Sequence, residues 1–185
     1  MNKIAKIIFS IIIVTSVVAL GYFFTIRKAN ITSPTSRPPT SITFQETGNG
    51  CGDIFVYKIN NDQTASISVS ARRDKLNFST AEKTFEIGKT DGLDVKILIG
   101  EKVVHSYCTD LLPPEQPTSR KLFGKSGKAI ISVSDIDKSR PEWRGNYTAN
   151  VILKDVHFID DKGIDSDIVI PELIFKDVWV GWYTS

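Results

Sequence analysis

Two cysteines, two histidines and a run of aspartates are the residues of this 185-residue chain whose types and spacing suit chemistry. Cys51 stands at the entrance to a strand-like stretch, GNGCGDIFVYK, and Cys108 at the exit of another, VVHSYCTD. In a domain that leaves the cytoplasm, two cysteines with no third thiol most simply form one disulfide. The bond would close a loop of nearly 60 residues. The chain-entropy relation puts such a bond at roughly 4 kcal/mol, less any strain. Gly48, Gly50 and Gly52 let the backbone turn sharply around Cys51. Two other readings stand beside this one: a pair of free buried thiols, or a catalytic thiol served by His105 or His157. His105 is three residues from Cys108. On a strand that spacing sends the two side chains to opposite faces, which counts against the catalytic pairing.

Asp160, Asp161, Asp165 and Asp167 crowd around Gly163. Carboxylates and backbone carbonyls of a loop are calcium ligands, so these four are calcium candidates. The spacing DDKGIDSD is not that of an EF-hand loop, and Asp and Gly are ordinary turn formers. The plain reading is a solvated hairpin. Asp135 and Asp137 carry the same two readings. Among the aromatics, Trp143 sits in the loop KSRPEWRGN, and Trp179, Trp182 and Tyr183 crowd the end of the sequence in DVWVGWYTS. Aromatic rings exposed on a β-surface can stack on ligands. Trp143, Trp182 and Tyr183 are therefore the candidate ligand-binding residues, with Trp179 assigned to the core. The sequence has no G-x-S-x-G elbow, P-loop, H-E-x-x-H or C-x-x-C. It nominates no catalytic residue and no cofactor.

The surroundings of these residues say where they work. Residues 1–28 hold Lys3, Lys6, Arg27 and Lys28 and no acid. Setting those four apart from the 23 Lys and Arg leaves 19 against 21 acids, so the chain's +2 becomes −2 for the rest. A mildly acidic, mixed surface lacks the footprint of a nucleic-acid binder. Between the charges, Ile7 to Phe24 is an uncharged run of 18 residues. As a helix it spans about 27 Å, near the roughly 30 Å of a hydrocarbon core. It reads as a signal anchor in preference to a cleaved signal peptide, whose site Ala19-Leu20-Gly21 would supply. The membrane is thus an expected partner, with the folded part outside the cytoplasm. If the leader is cleaved, the chain is secreted or periplasmic. Residues 29–41, ANITSPTSRPPTS, are a Pro/Ser/Thr-rich tether without apolar periodicity.

Residues 42–185 read as one all-β domain. Ala65, Ile67, Val69 and Ala71 alternate with serines and an arginine; Leu93, Val95, Ile97 and Ile99 alternate with polar residues; Ala129, Ile131 and Val133 alternate with serines. Tyr147 to Phe158 and Leu173 to Trp182 continue the pattern. That makes eight or nine strands with turn signals between them and no amphipathic helix. Gly100-Glu101 reads as a tight hairpin turn leading into a strand over Lys102 to Cys108, and Leu111 to Ser119 as a proline-rich loop. The expected architecture is an antiparallel β-sandwich, with a barrel as second choice. An immunoglobulin-like arrangement remains open on architecture alone, because no Trp lies between the cysteines. Pro171 marks its strand as an edge or a bulge.

The strings CGDIFVYK at 51–58, YCTD at 107–110 and VWVGW at 178–182 resemble a group of bacterial exported or membrane-anchored β-rich proteins to which no function is assigned. The resemblance covers about residues 50–182. It implies export and a β-rich domain, and carries no activity. The expectation is a non-catalytic envelope domain for binding, adhesion or scaffolding. The alternatives are a carbohydrate-binding module or a secreted hydrolase, the latter needing a cleft where a histidine meets carboxylates.

Overall fold

Alternation decides the short strands. Leu93, Val95 and Ile97 of β5 (Leu93–Ile99) are buried while Asp94 and Lys96 face water, as expected of a strand with one face on a core. Val56 and Lys58 turn inward from β2 (Phe55–Ile59), and Ala65, Ile67, Val69 and Ala71 from β3 (Ala65–Ala71). A short β1 (Asn49–Cys51) precedes them and β4 (Lys83–Glu86) lies between β3 and β5 in sequence. Three long strands follow: β6 (Arg120–Val133), β7 (Tyr147–Asp160) and β8 (Asp165–Val180). The computed structural model describes residues 42–100, 103, 107–108, 120–141 and 144–181. All pairings are antiparallel and make one sheet in the order β1-β2-β3-β5-β6-β7-β8, with β4 beside the second half of β6.

The long strands cannot run flat, because each changes the face it buries partway along. β6 buries Leu122 and then Ala129 and Ile131; β7 buries Val151 and Leu153 and then Val156 and Phe158; β8 buries Ile168 and Ile170 and then Phe175, Val178 and Val180. In each case the inward parity changes at this point, and in β8 it changes back at Asp177, whose φ is 49°. The register places these changes side by side. Lys128 pairs with Lys154 and Lys154 with Glu172, whereas beyond the change Ser126 pairs with His157 and Val156 with Ile170. Gly127, Asp155 and Pro171 therefore line up across the sheet as a corner, a bend within the one curled sheet. Gly127 and Asp155 have φ of 126° and 50°. A Cβ on Gly127 would stand 2.8 Å from both the Asp155 carbonyl oxygen and the Val156 Cα, so only glycine fits the approach of β6 to β7 there.

The corner folds the sheet over its own apolar face. On one side, the first part of β6, the last part of β7 and the first part of β8 continue β1-β2-β3-β5. On the other side, the remainder of the three strands joins β4. The two limbs meet across the core. A Cβ on Gly50 would lie 2.9 Å from both Val178 and Val180, and one on Gly48 3.1 Å from both Phe175 and Val178. The Gly181 N–H donates to the Gly52 carbonyl at 2.7 Å, bridging the two ends of the curled sheet. The Tyr147 hydroxyl donates to the Asp53 carbonyl close by.

Several expectations change. Hydrogen bonding runs through one curled sheet, and two separate sheets are not seen among the described residues. β5 is flanked by β3 and, over Lys96–Ile99, by β6. The strand expected over Lys102 to Cys108 lies mostly outside the described residues. β3 is covered on both faces, since Ser66 and Ser68 are buried along with its apolar residues. β6 starts nine residues before Ala129, where lysines, serines and glycines hide the alternation. Trp179, assigned to the core, faces outward at 38% exposure. Pro171 does lie in a strand at the end of the sheet. The N-terminal segment 1–28, the tether, His105, the loop Leu111 to Ser119, Trp143, Trp182 and Tyr183 lie outside the described residues.

Two glycine substitutions separate the corner from an ordinary turn. Gly163, in the β7–β8 turn, has φ 79°, and nothing lies within 4 Å of where a Cβ would stand. Gly163→Ala should cost only the left-handed backbone, about 1 kcal/mol. Gly127→Ala adds a collision with backbone and should cost about 3 kcal/mol or more. Denaturant unfolding of both variants checks this, and equal losses would remove the corner's special status.

Candidate functional site

Cys51, at the end of β1, is bonded to Cys108, with the Cα atoms 5.7 Å apart, inside the usual range for a disulfide. Neither the free-thiol nor the catalytic-thiol reading survives, since no free cysteine remains. The bond has a local consequence. Tyr107, next to Cys108, packs its ring on Tyr57 at 4.6 Å and on Phe55 at 5.3 Å. Its hydroxyl shares a hydrogen bond of 3.0 Å with the buried Ser66 Oγ. The disulfide thus fastens an aromatic plug over the outer face of β2 and β3, which explains why the serines of β3 are buried. Burial pushes the Tyr107 hydroxyl above its usual pKa, against the smaller effect of the Ser66 bond.

The four aspartates are not brought together as ligands. Asp160 turns its carboxylate onto its own hairpin, accepting from the N–H groups of Lys162 and Ile164 at 2.9 and 2.8 Å. This is the Asx-type turn that the residue type favours. Asp165 pairs with Lys125 at 2.6 Å across the strands, and Asp161 is exposed. Asp137 is likewise spent on its own loop, accepting from the Ser139 hydroxyl and N–H. Those two bonds hold its carboxyl below the usual range. Among the described residues no three His, Cys, Asp or Glu side chains form a metal-holding group.

His157 lies in a shallow cleft of about 310 Å³ with Lys125, Ser126, Phe158, Asp165 and Ser166. The residue types resemble a hydrolytic set, but the bonds run elsewhere. Asp165 is taken by Lys125, and the Ser166 Oγ accepts from the Ile168 N–H at 3.2 Å. A nucleophile activated by histidine needs a hydrogen bond between them and an orienting partner behind the base. The described bonds supply neither.

Two functional groups escaped the sequence reading. Arg140 stacks its guanidinium on the Trp179 ring at 3.9 Å. Its Nε and Nη2 donate to the backbone carbonyls of Gly145 and Arg144. The arginine clips the β6–β7 loop to the outer face of β8, and one face of the indole is already occupied. Nothing in the sequence spacing joins two residues so far apart. Lys58 is 5% exposed, with Nζ 5.5 Å from the Phe175 ring centroid. Burial lowers its pKa, with the charge of Glu46 opposing. Here a signal existed: Lys58 shares the parity of Ile54 and Val56, so alternation alone places it inside. No family model matches the chain, and no curated protein and no solved structure matches it either.

Two pH dependences follow. Between the lowered pKa of folded Lys58 and its ordinary value of 10.5, the unfolded chain binds a proton that the folded chain lacks, so stability rises with pH. Lys58→Met should be the more stable protein at pH 7 in denaturant unfolding, with an advantage that shrinks as pH approaches 10.5. A variant less stable at every pH would mean that the amine contributes net stability through Phe175. Tyr107 has the opposite sign. Its raised pKa gives stability that is whole below the ordinary value of 10.0 and lost as pH climbs through the folded value. Tyr107→Phe should cost about 1 kcal/mol at neutral pH and flatten the alkaline decline. An unchanged alkaline limb would place the loss elsewhere.

Proposed function

We propose that this chain is a non-catalytic binding or scaffolding domain of the cell envelope, displayed outside the cytoplasm by its N-terminal hydrophobic segment and Pro/Ser/Thr-rich tether. The observation that carries the location is the Cys51–Cys108 disulfide, a bond that persists in oxidising compartments and is rare in the cytosol. The resemblance to exported bacterial β-rich proteins belongs to the same reading. The bent sheet is then a β-sandwich folded from one piece, with the two limbs in place of two sheets. The close seat of Gly48 and Gly50 on Phe175, Val178 and Val180 supports this.

Binding is the favoured work because of the outer face beyond the corner. There Ile130 of β6 stands beside Ile152 of β7, and Ile152 beside Ile174 of β8. These even-numbered residues have the outward parity, opposite to Ala129, Leu153 and Phe175. An outward apolar row across three adjacent strands is a surface for a partner, and a solvated sheet face is normally polar. In the His157 cleft Asp165 is bonded to Lys125 and the Ser166 Oγ to backbone, and neither is bonded to the imidazole, which favours binding over hydrolysis.

The test uses the full chain in its native envelope. Intact mass, measured with and without reduction before alkylation, should show two thiols only after reduction. A photo-crosslinking side chain placed at Ile152 should give a defined adduct that the same group at exposed Lys138 does not. Two thiols alkylated without reduction would overturn the location, and identical adducts from both positions would overturn the binding face.

A further inference from the structure

The isoleucine row ends at β8, and β8 has a free side. Among the described residues, β8 pairs with β7 on one side, and on the other its only backbone bond is at Gly181. The stretch Glu172–Lys176 therefore presents an unpaired edge, the feature that natural sheets otherwise shield. Its two ends are marked. Pro171 stands at the corner on one side, and on the other Asp177 has φ 49° and gives its N–H to the Asn150 side chain. Between them lie five residues of regular strand, Glu-Leu-Ile-Phe-Lys. Ile174 at the centre is 46% exposed.

That stretch is complementary to itself. Laid antiparallel against a copy of itself with Ile174 opposite Ile174, it sets Glu172 opposite Lys176 twice, both on the outward face. We propose that this edge is the interface for a second copy of the chain: the two β8 strands pair antiparallel about a two-fold axis at Ile174. The isoleucine row then runs unbroken from one copy to the other. Opposite charges facing across strands favour this register, and like charges would oppose it. The pairing is isologous, so it closes at two copies and leaves no end to propagate. Glu172 also reaches Lys154 of its own chain at 3.6 Å, with both side chains about half exposed. A carboxylate so exposed can take a second lysine. Five residue pairs make a small interface, suited to reversible association. Tethering on one membrane would strengthen it by raising the local concentration. The inference rests on the sheet edge alone and holds whether or not the chain is exported.

Charge exchange tests it. The full chain in detergent is followed by sedimentation velocity from about 1 to 100 μM, a range that brackets micromolar dissociation constants. The wild type should dimerise with concentration. Glu172→Lys places like charges opposite one another at both contacts and should weaken the dimer about tenfold, as should Lys176→Glu. The double variant E172K/K176E should restore it. All three should keep the wild-type melting temperature within a few degrees, because both side chains face solvent. A wild type monomeric throughout the range overturns the proposal. So does a dimer indifferent to the single exchanges, which would place its contact elsewhere, such as the N-terminal hydrophobic segment.

Discussion

The corner at Gly127, Asp155 and Pro171 is the constraint on which the rest of this protein depends. Strands of 14 to 16 residues are too long to cover one small core while flat. They bury side chains on both sides of the bend only because their inward parity changes together. Without the bend, Val156, Phe158, Ile168 and Ile170 would point away from the side chains that Val151, Leu153 and Phe175 now join in one cluster. The geometry demands one residue with no side chain, one that tolerates positive φ and one edge position that needs no N–H. Glycine, aspartate and proline meet these demands respectively.

From that bend follows a division of labour between the two faces. Among the described residues the inner face is apolar except for Lys58, whose ammonium lies against Phe175. The outer face differs from place to place. Over β2 and β3 it is sealed by Tyr107, which the disulfide holds in position beside Phe55, Tyr57 and Ser66. Over the far limb it carries the isoleucine row, with Lys128, Lys154 and Glu172 as its charged border. The sealed region is thus tied down by a covalent bond, while the isoleucine row is covered by none of the described residues.

The residues that looked reactive mostly turn out to hold the fold. Asp160 and Asp137 close their own turns, Asp165 ties β8 to β6, and Arg140 fastens a loop onto Trp179. Asp160, Asp137 and Arg140 bond to backbone groups of their loops, a common employment of such side chains, whereas Asp165 makes an exposed ion pair. The outward apolar row is instead made of isoleucines, which no search for chemical motifs would single out.

The sequence by itself determined the strand class, most strand positions, the loop of the disulfide and the Asp160 turn. These depend on period-two alternation and on residues a few positions apart, whose physics is local. Alternation also placed Lys58 on the inner face. Only the tertiary structure decided that β5 neighbours β6, that Trp179 faces outward under Arg140, and that three isoleucines from three strands form one row. Those facts depend on register between segments far apart in the chain. A shift of one residue in register exchanges inside for outside, and the corner makes that exchange deliberately within a single strand. Alternation read along the sequence sees two short strands or a broken one at such a point. The missing information is which neighbour lies alongside, and that is fixed only when the limbs close over their common core.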